Sequence, residues 1–191
     1  MIDSKSALRE YIERDRIALG KKKHPKIIGD YIWKFEILMR YCEYYSNTKS
    51  KSVMRWIFLF LYKRMSLKLG FSIPINVFGP GLSIAHYGTI VVNPTARIGK
   101  NCRIHEGVTI GATNGDTRSA LIGDNVFIGS GAKVIGNICI APDVAIAANA
   151  VVVTNIQEAG TTWGGVPAKK ISNKDSHDNE RNIIKLRVFI I

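Results

Sequence analysis

With 191 residues, 46% hydrophobic and 22% charged, the chain has room for one domain, or one domain with a helical appendage, around a core of adequate size. Its formal charge of +12 is mostly N-terminal: residues 1–70 carry 16 Lys or Arg against 7 Asp or Glu. The longest apolar run, Trp56 to Tyr62, is too short to span a bilayer, and the start MIDSKSALREYIERDR is charged throughout, unlike a signal peptide. A cytoplasmic protein is expected, and nucleic acid is not expected as a partner, because no recognised binding motif accompanies the basic residues.

Residues 1–70 read as a helical N-terminal region. Ser6 to Leu19 predicts a first helix, stopped near Gly20, the run Lys21 to Lys23 and Pro25. Gly29 to Tyr45 predicts a second, Ser46 to Ser52 a polar linker, and Val53 to Leu69 a third, apolar in its middle with Arg55, Lys63, Arg64 and Lys68 around it. Such a basic amphipathic helix either lies on the inner face of a membrane or, as the preferred reading, packs on the next structural unit or a neighbouring subunit. The basic surface as a whole suits an anionic partner (a polyanionic acceptor, lipid headgroups or cofactor phosphates) and equally a solvated helix face.

From Pro74 to about Val153 the chain repeats every six residues. The hexads run PINVFG, PGLSIA, HYGTIV, VNPTAR, IGKNCR, IHEGVT and IGAT, then resume at Ile122 with IGDNVF, IGSGAK, VIGNIC, IAPDVA and IAANAV. Most open with a branched aliphatic residue and keep a small or aliphatic fifth position, as at Ala96, Cys102, Val108, Val126 and Val144. A helix recurs at 3.6 residues and a strand at 2, so the period matches neither; it matches the hexapeptide β-helix, with opening side chains inward and coils stacked into ladders. Gly99, Gly111, Gly123 and Gly129 follow the inward residue, where a Cβ is expected to be strained. Residues 71–171 therefore form the repeat domain and 172–191 a tail, whose apolar stretch Ile183 to Ile191 is expected to pack back on the body. Twelve residues separate Ile110 from Ile122 where one hexad uses six, so 113–121 is a loop thrown out of the coil, the kind of place where function concentrates. Cys42, Cys102 and Cys139 lack metal-ligand spacing, and a zinc site of three histidines finds only His86 and His105 in the repeat, so no metal is expected.

The segments Ile84-Ala85-His86-Tyr87-Gly88-Thr89-Ile90-Val91-Val92, Gly107-Val108-Thr109-Ile110-Gly111, Ile128-Gly129-Ser130-Gly131-Ala132-Lys133 and Gly165-Val166-Pro167-Ala168-Lys169 come in the order found in acetyl-CoA-dependent hexapeptide acyltransferases. Over Gly81 to Ile171, about half the chain, the sequence most resembles their serine acetyltransferase branch. The resemblance implies a mainly β fold, a left-handed parallel β-helix behind the α-helical N-terminal region, assembled as a homotrimer with its active site between subunits. It implies His86 as general base for direct acetyl transfer from acetyl-CoA to an acceptor hydroxyl, a task suited to an imidazole titrating near neutrality. In the hexad frame His86 stands at a ladder position, where an imidazole must find partners or stay exposed in a cleft. His105, Asp116 and Arg118 are the candidates for acceptor contact. Gly111, Thr113, Ala132 and Ala150 match positions beside the pantetheine arm of coenzyme A, and Lys169 and Lys170 are placed to meet its phosphates. Three departures bear on the acceptor: Ala85 stands where serine acetyltransferases carry Asp, Phe71-Ser72-Ile73-Pro74 replaces Asp-Ile-His-Pro, and Asp116-Thr117-Arg118-Ser119 replaces Gly-Asp-Arg-His-Pro. The two carboxylates that would bind a serine ammonium are thus absent at their usual places. The expectation is a sugar hydroxyl of a capsular or other surface polysaccharide, with L-serine as the alternative.

Overall fold

The structure, a computed structural model, describes residues 1–49, 52–113 and 115–177. Three helices precede the repeat: α1 (Lys5–Ala18), α2 (Tyr31–Asn47) and α3 (Val53–Leu69). Ser4 caps α1 by accepting from the Ala7 N–H at 3.2 Å, and Ser52 caps α3 by accepting from Met54 at the same distance. Gly70 ends α3 in the left-handed conformation (φ 77°), which lacks a steric penalty only without a Cβ. The third helix keeps its expected bounds; the others differ by one or two residues, within normal end fraying.

The coil is built of short strands: β1 (Phe71–Ser72), β2 (Ser83–Ile84), β3 (Ile90–Val92), β4 (Arg97–Ile98), β5 (Arg103–Ile104), β6 (Thr109–Gly111), β7 (Leu121–Ile122), β8 (Phe127–Ile128), β9 (Lys133–Ile135), β10 (Cys139–Ile140), β11 (Ala145–Ile146), β12 (Val151–Val152), β13 (Thr162–Gly164) and β14 (Lys169–Ser172). They stack into three sheets, β1-β3-β6-β9-β12, β4-β7-β10 and β2-β5-β8-β11-β13-β14, parallel throughout except for the antiparallel β13–β14 pair. The chain visits the three faces in turn, which is the parallel β-helix expected from the repeat, with the left hand that the resemblance implies. Val91 stacks on Thr109, eighteen residues on, and Lys133 on Val151 likewise; Thr109 stacks on Lys133, twenty-four on, which absorbs one extra hexad in the projecting loop. Both ladder columns are inside: Ile98, Ile104, Ile110, Ile122, Ile128 and Val134 are buried, as are Ala96, Cys102, Val108, Val126, Ala132 and Ala150.

Upstream of Val92 the structure corrects the hexad frame. Ser83 pairs with Arg103 and Ile84 with Ile104, twenty residues apart, and Phe78 bridges to Ile98. Phe78 and Ile84, not Pro80 and His86, are therefore the inward openers, and two additional residues lie between Ile84 and Ile90. They carry His86 out of the ladder to an exposed corner. The glycine expectation is also refined. Gly99 does not need positive φ; a Cβ there would sit 2.7 Å from Gly123 C of the next coil, so close stacking requires it. The left-handed corners are held by Asn101, Asn125 and Asp143 (φ 56°, 57° and 60°). Their side chains form a ladder, Asn101 Nδ2 donating to Asn125 Oδ1 and Asn125 Nδ2 to Asp143 Oδ1, both at 2.8 Å.

The helices join the first coil through polar side chains that take the place of a preceding strand. Asp15 Oδ1 accepts from the Gly81 and Leu82 N–H groups at 2.8 and 2.9 Å, and Glu36 Oε1 from Ile84 at 3.2 Å. Glu43 Oε1 accepts from Asn76 N–H at 2.7 Å. Arg40, fully buried, donates to the carbonyls of Phe78 (2.9 Å) and Gly79 (2.8 Å) while pairing with Asp15 (2.7 Å) and Glu43 (2.9 Å). Beside them Phe35 packs against Tyr62 (5.4 Å between centroids) and Phe71 (5.0 Å). At the other end Ser176 is buried, its hydroxyl donating to the Asn125 carbonyl; Ile183 to Ile191 lie outside the described residues.

Candidate active site

Residues that follow β2, β5 and β8 line one edge of the three-faced coil, because each begins the passage to the next face. That edge carries His86 from the first coil, His105 and Glu106 from the second, and Ser130 from the third. Each of His86, His105 and Glu106 brings a nitrogen or carboxylate oxygen to within 4.8 Å of the others. The imidazoles of His86 and His105 meet edge to face at 5.7 Å, and Phe127 backs His105 at 5.2 Å. The Ser130 hydroxyl donates to Glu106 Oε1, and this bond holds the Glu106 carboxyl below its ordinary range, so it is ionised at neutral pH. Burial, then the Arg103 charge, lowers His105, so that imidazole is neutral. His105 Nε2 and Glu106 Oε2 are buried without a hydrogen-bond partner among the described residues. Leaving such atoms unsatisfied costs about 1–3 kcal/mol each, so the cluster is poised to receive a ligand's polar groups. An exposed imidazole beside an ionised carboxylate can take a proton and have the resulting positive charge stabilised. The same three groups are a geometric set for a divalent cation, a convergence that counting histidines alone could not reveal.

Asp116 and Arg118 are not brought to this edge. Their loop follows β6 and leaves from the next edge of the coil, where Arg118 pairs with Asp116 at 3.1 Å and its N–H donates to the same carboxylate at 2.8 Å. Gly111 is half-buried and Thr113 exposed on that edge. Ala132 and Ala150 are ladder residues with 0% exposure, and their carbonyls accept from Thr109 and Lys133, so neither side chain faces a ligand. Lys169 and Lys170 lie on β14, five strand spacings or about 24 Å from β2 along the same sheet. Lys169 is exposed, whereas Lys170 is paired with Glu158 at 2.5 Å. Glu106 and Ser130 also belong to this cluster; their signal in the sequence is positional, since both follow an inward opener by two residues.

The family model for bacterial transferase hexapeptide, six repeats, matches residues 119–154. A serine acetyltransferase of Helicobacter pylori is 42% identical over 96 residues, which cover 49% of this chain and 56% of the relative. The matched stretch thus spans about half of that relative's length. Among solved structures, soybean serine acetyltransferase superposes with a TM-score of 0.72 at 27% identity, covering 87% of this chain and 69% of the other. Its complex with serine gives 0.71 at 27% identity, over 87% of this chain and 70% of the other. The Brucella abortus serine acetyltransferase in complex with coenzyme A gives 0.65 at 25%, over 88% and 68%. By its repeat, its three-faced coil and these likenesses, the chain has the hexapeptide-repeat left-handed β-helix fold and is similar to the serine acetyltransferases.

Proposed function

We propose that the protein transfers acetyl from acetyl-CoA to the hydroxyl of L-serine, with His86 as general base. The carrying observation is the meeting of exposed His86 with ionised Glu106 and neutral His105 at one edge. The acceptor oxygen attacks the thioester carbonyl carbon as its proton passes to His86; the carbon–sulfur bond then breaks and the imidazolium returns the proton to the leaving thiolate. No covalent enzyme intermediate is needed. The sugar reading rested on the lack of a carboxylate near His86, and Glu106, from the following coil, removes that reason. The likenesses, which name serine acetyltransferases, also favour L-serine over a capsular sugar. An acceptor screen reading free coenzyme A tests this: saturable acetylation of L-serine is expected, and sugars or anionic glycans outrunning it would overturn the assignment.

The coenzyme is placed with its thioester at His86 and its phosphates toward Lys169, along the sheet between β2 and β14. A homotrimer is proposed because Asp116 and Arg118, on another edge, can meet an acceptor only at a neighbouring protomer's His86; the mass in solution against 21.2 kDa for one chain tests it. A cytoplasmic location is part of this reading. Among the described residues no helix is long and apolar enough to cross a membrane. The α3 helix nevertheless carries a second apolar face, with Val53, Trp56, Ile57, Phe60 and Leu61 exposed, rimmed by Arg55, Lys63, Arg64 and Lys68 and free of acidic residues. That composition supports a peripheral contact with anionic lipid. Sedimentation with phosphatidylglycerol vesicles but not phosphatidylcholine vesicles, lost in Trp56→Glu, is expected; equal partitioning to both would refute it.

A further inference from the structure

Zinc is held by imidazole nitrogens and carboxylate oxygens, and His86, His105 and Glu106 bring such atoms to within 4.8 Å of one another. Among the described residues no other three side chains of ligating type converge in this way. Tetrahedral zinc, with bonds of about 2.0–2.2 Å, sets its ligand atoms about 3.3–3.6 Å apart, so the cluster closes on an ion by about 1.2–1.5 Å at most. The three side chains differ in their freedom to make that movement. Phe127 backs His105 at 5.2 Å and the Ser130 hydroxyl holds Glu106 Oε1, whereas His86 is exposed on its corner. Two ligands are thus fixed by the coil, and the third can swing onto the ion. His105 Nε2 and Glu106 Oε2 are buried and have no hydrogen-bond partner among the described residues, so neither atom is committed to another group. The Ser130 bond to Oε1 is also the kind of outer contact that orients a ligating carboxylate while leaving its second oxygen for the metal. Two imidazoles disfavour magnesium and calcium, which take oxygen ligands.

We infer that His86, His105 and Glu106 bind a zinc ion, with the fourth position left to water, and that zinc bound there inhibits acetyl transfer. A nitrogen that coordinates a metal cannot take a proton, so the ion withdraws the lone pair that His86 offers as base and lies where the acceptor hydroxyl has to sit. The inhibition rests on the reading of His86 as general base, while the metal site rests on the donor atoms alone. Zinc is then a reversible regulator of the site and not a cofactor of the reaction.

The probe is cobalt(II), which replaces zinc in such sites and absorbs strongly in the visible when four-coordinate, titrated into the full chain after dialysis against EDTA. One equivalent per chain with intense bands, bleached by added zinc, is expected. Ser130→Ala, which removes only the outer bond to the carboxylate, should weaken zinc binding by about 10- to 100-fold, and Glu106→Gln or His105→Asn should weaken it further. His177→Asn, which removes a second histidine–carboxylate pair, 3.1 Å from Asp143, should bind zinc as wild type does. In the acetyl-transfer assay zinc should compete with L-serine, and EDTA should restore the rate in full. Weak or absent cobalt bands, or zinc affinity equal in wild type, Ser130→Ala and Glu106→Gln, overturns the site even if L-serine is acetylated. Intense bands that depend on these residues support the site even if L-serine proves not to be the acceptor. A rate unchanged with zinc bound overturns the inhibition.

Discussion

Arg40→Met is the most informative test of how the helices are fixed to the coil. Arg40 is fully buried and holds two carboxylates, Asp15 and Glu43, together with the carbonyls of Phe78 and Gly79. Methionine fills much of the same space but offers no donor, so two negative charges and two carbonyls lose their partner at once. Removing one member of a buried ion pair costs about 3–5 kcal/mol, most of it the penalty on the charges left behind. For a chain of this size each kcal/mol lowers Tm by about 2–4 °C, so a fall of about 6–20 °C is expected. The assay is thermal unfolding followed by near-ultraviolet circular dichroism at fixed protein concentration, because self-association also shifts Tm. Adding Asp15→Asn and Glu43→Gln to Arg40→Met should recover a large part of the loss, since the orphaned charges are then gone. A single variant that melts within about 3 °C of wild type would refute the reasoning and show these carboxylates to be solvated.

His86→Ala should lower turnover by about two orders of magnitude or more with coenzyme A affinity retained, measured by steady-state kinetics and calorimetry; near-normal turnover would remove His86 from the mechanism. Joint replacement of Lys169 and Lys170 by Ala should weaken acetyl-CoA binding more at low salt than at high, with Lys169 the larger contributor because Lys170 is already paired with Glu158; unchanged low-salt affinity would place the phosphates elsewhere. Burial, then the charge of Asp15, raises the Glu36 carboxyl well above its ordinary 4.5, so the folded state holds a proton that the unfolded chain releases. This group's contribution is full below that ordinary value and is lost as pH rises toward the raised one. Glu36→Gln should flatten that decline, and a Tm that falls with pH as steeply as in wild type would contradict it. Dialysis against a chelator should leave acetyl transfer intact, since the proposed base is an imidazole rather than a metal-bound group; lost activity restored by zinc would reassign His86, His105 and Glu106 as ligands of a required metal.

The ladder was legible because burial repeats with the chain, yet the frame slip before Val92 was not, for a definite reason. A hexad's fifth position and the next opener are both aliphatic, inward and two residues apart. An insertion of two exchanges one column for the other and leaves the hydrophobic pattern intact, so Ile84 and Ile90 fit either frame. Of the candidate site, His86 was legible because its motif names it directly. The rest was not, because stacking decides it: residues about a full coil apart, such as His86, Glu106 and Ser130, become neighbours, whereas Asp116, closer in sequence to Glu106 than Ser130 is, leaves from a different edge. The register that governs those distances depends on the slip and on the loop insertion together. Ala132 and Ala150 matched small-residue positions beside a ligand, but smallness serves the interior of the coil equally well, and their side chains are buried in it.

A solenoid of parallel strands has, in principle, no reason to stop, because its last coil offers the same edge that its first coil lacks. Here Asp15, Glu36 and Glu43 occupy the amide groups of the first coil, and Arg40 occupies two of its carbonyls, so side chains on helices imitate a neighbouring backbone. At the far end β14 runs against β13, presenting a strand of the wrong direction to any incoming parallel coil. The β2–β14 sheet is thereby closed to filament growth at both of its ends. The acidic residues that make the helical cap costly to bury also keep the protein from adding to itself end to end.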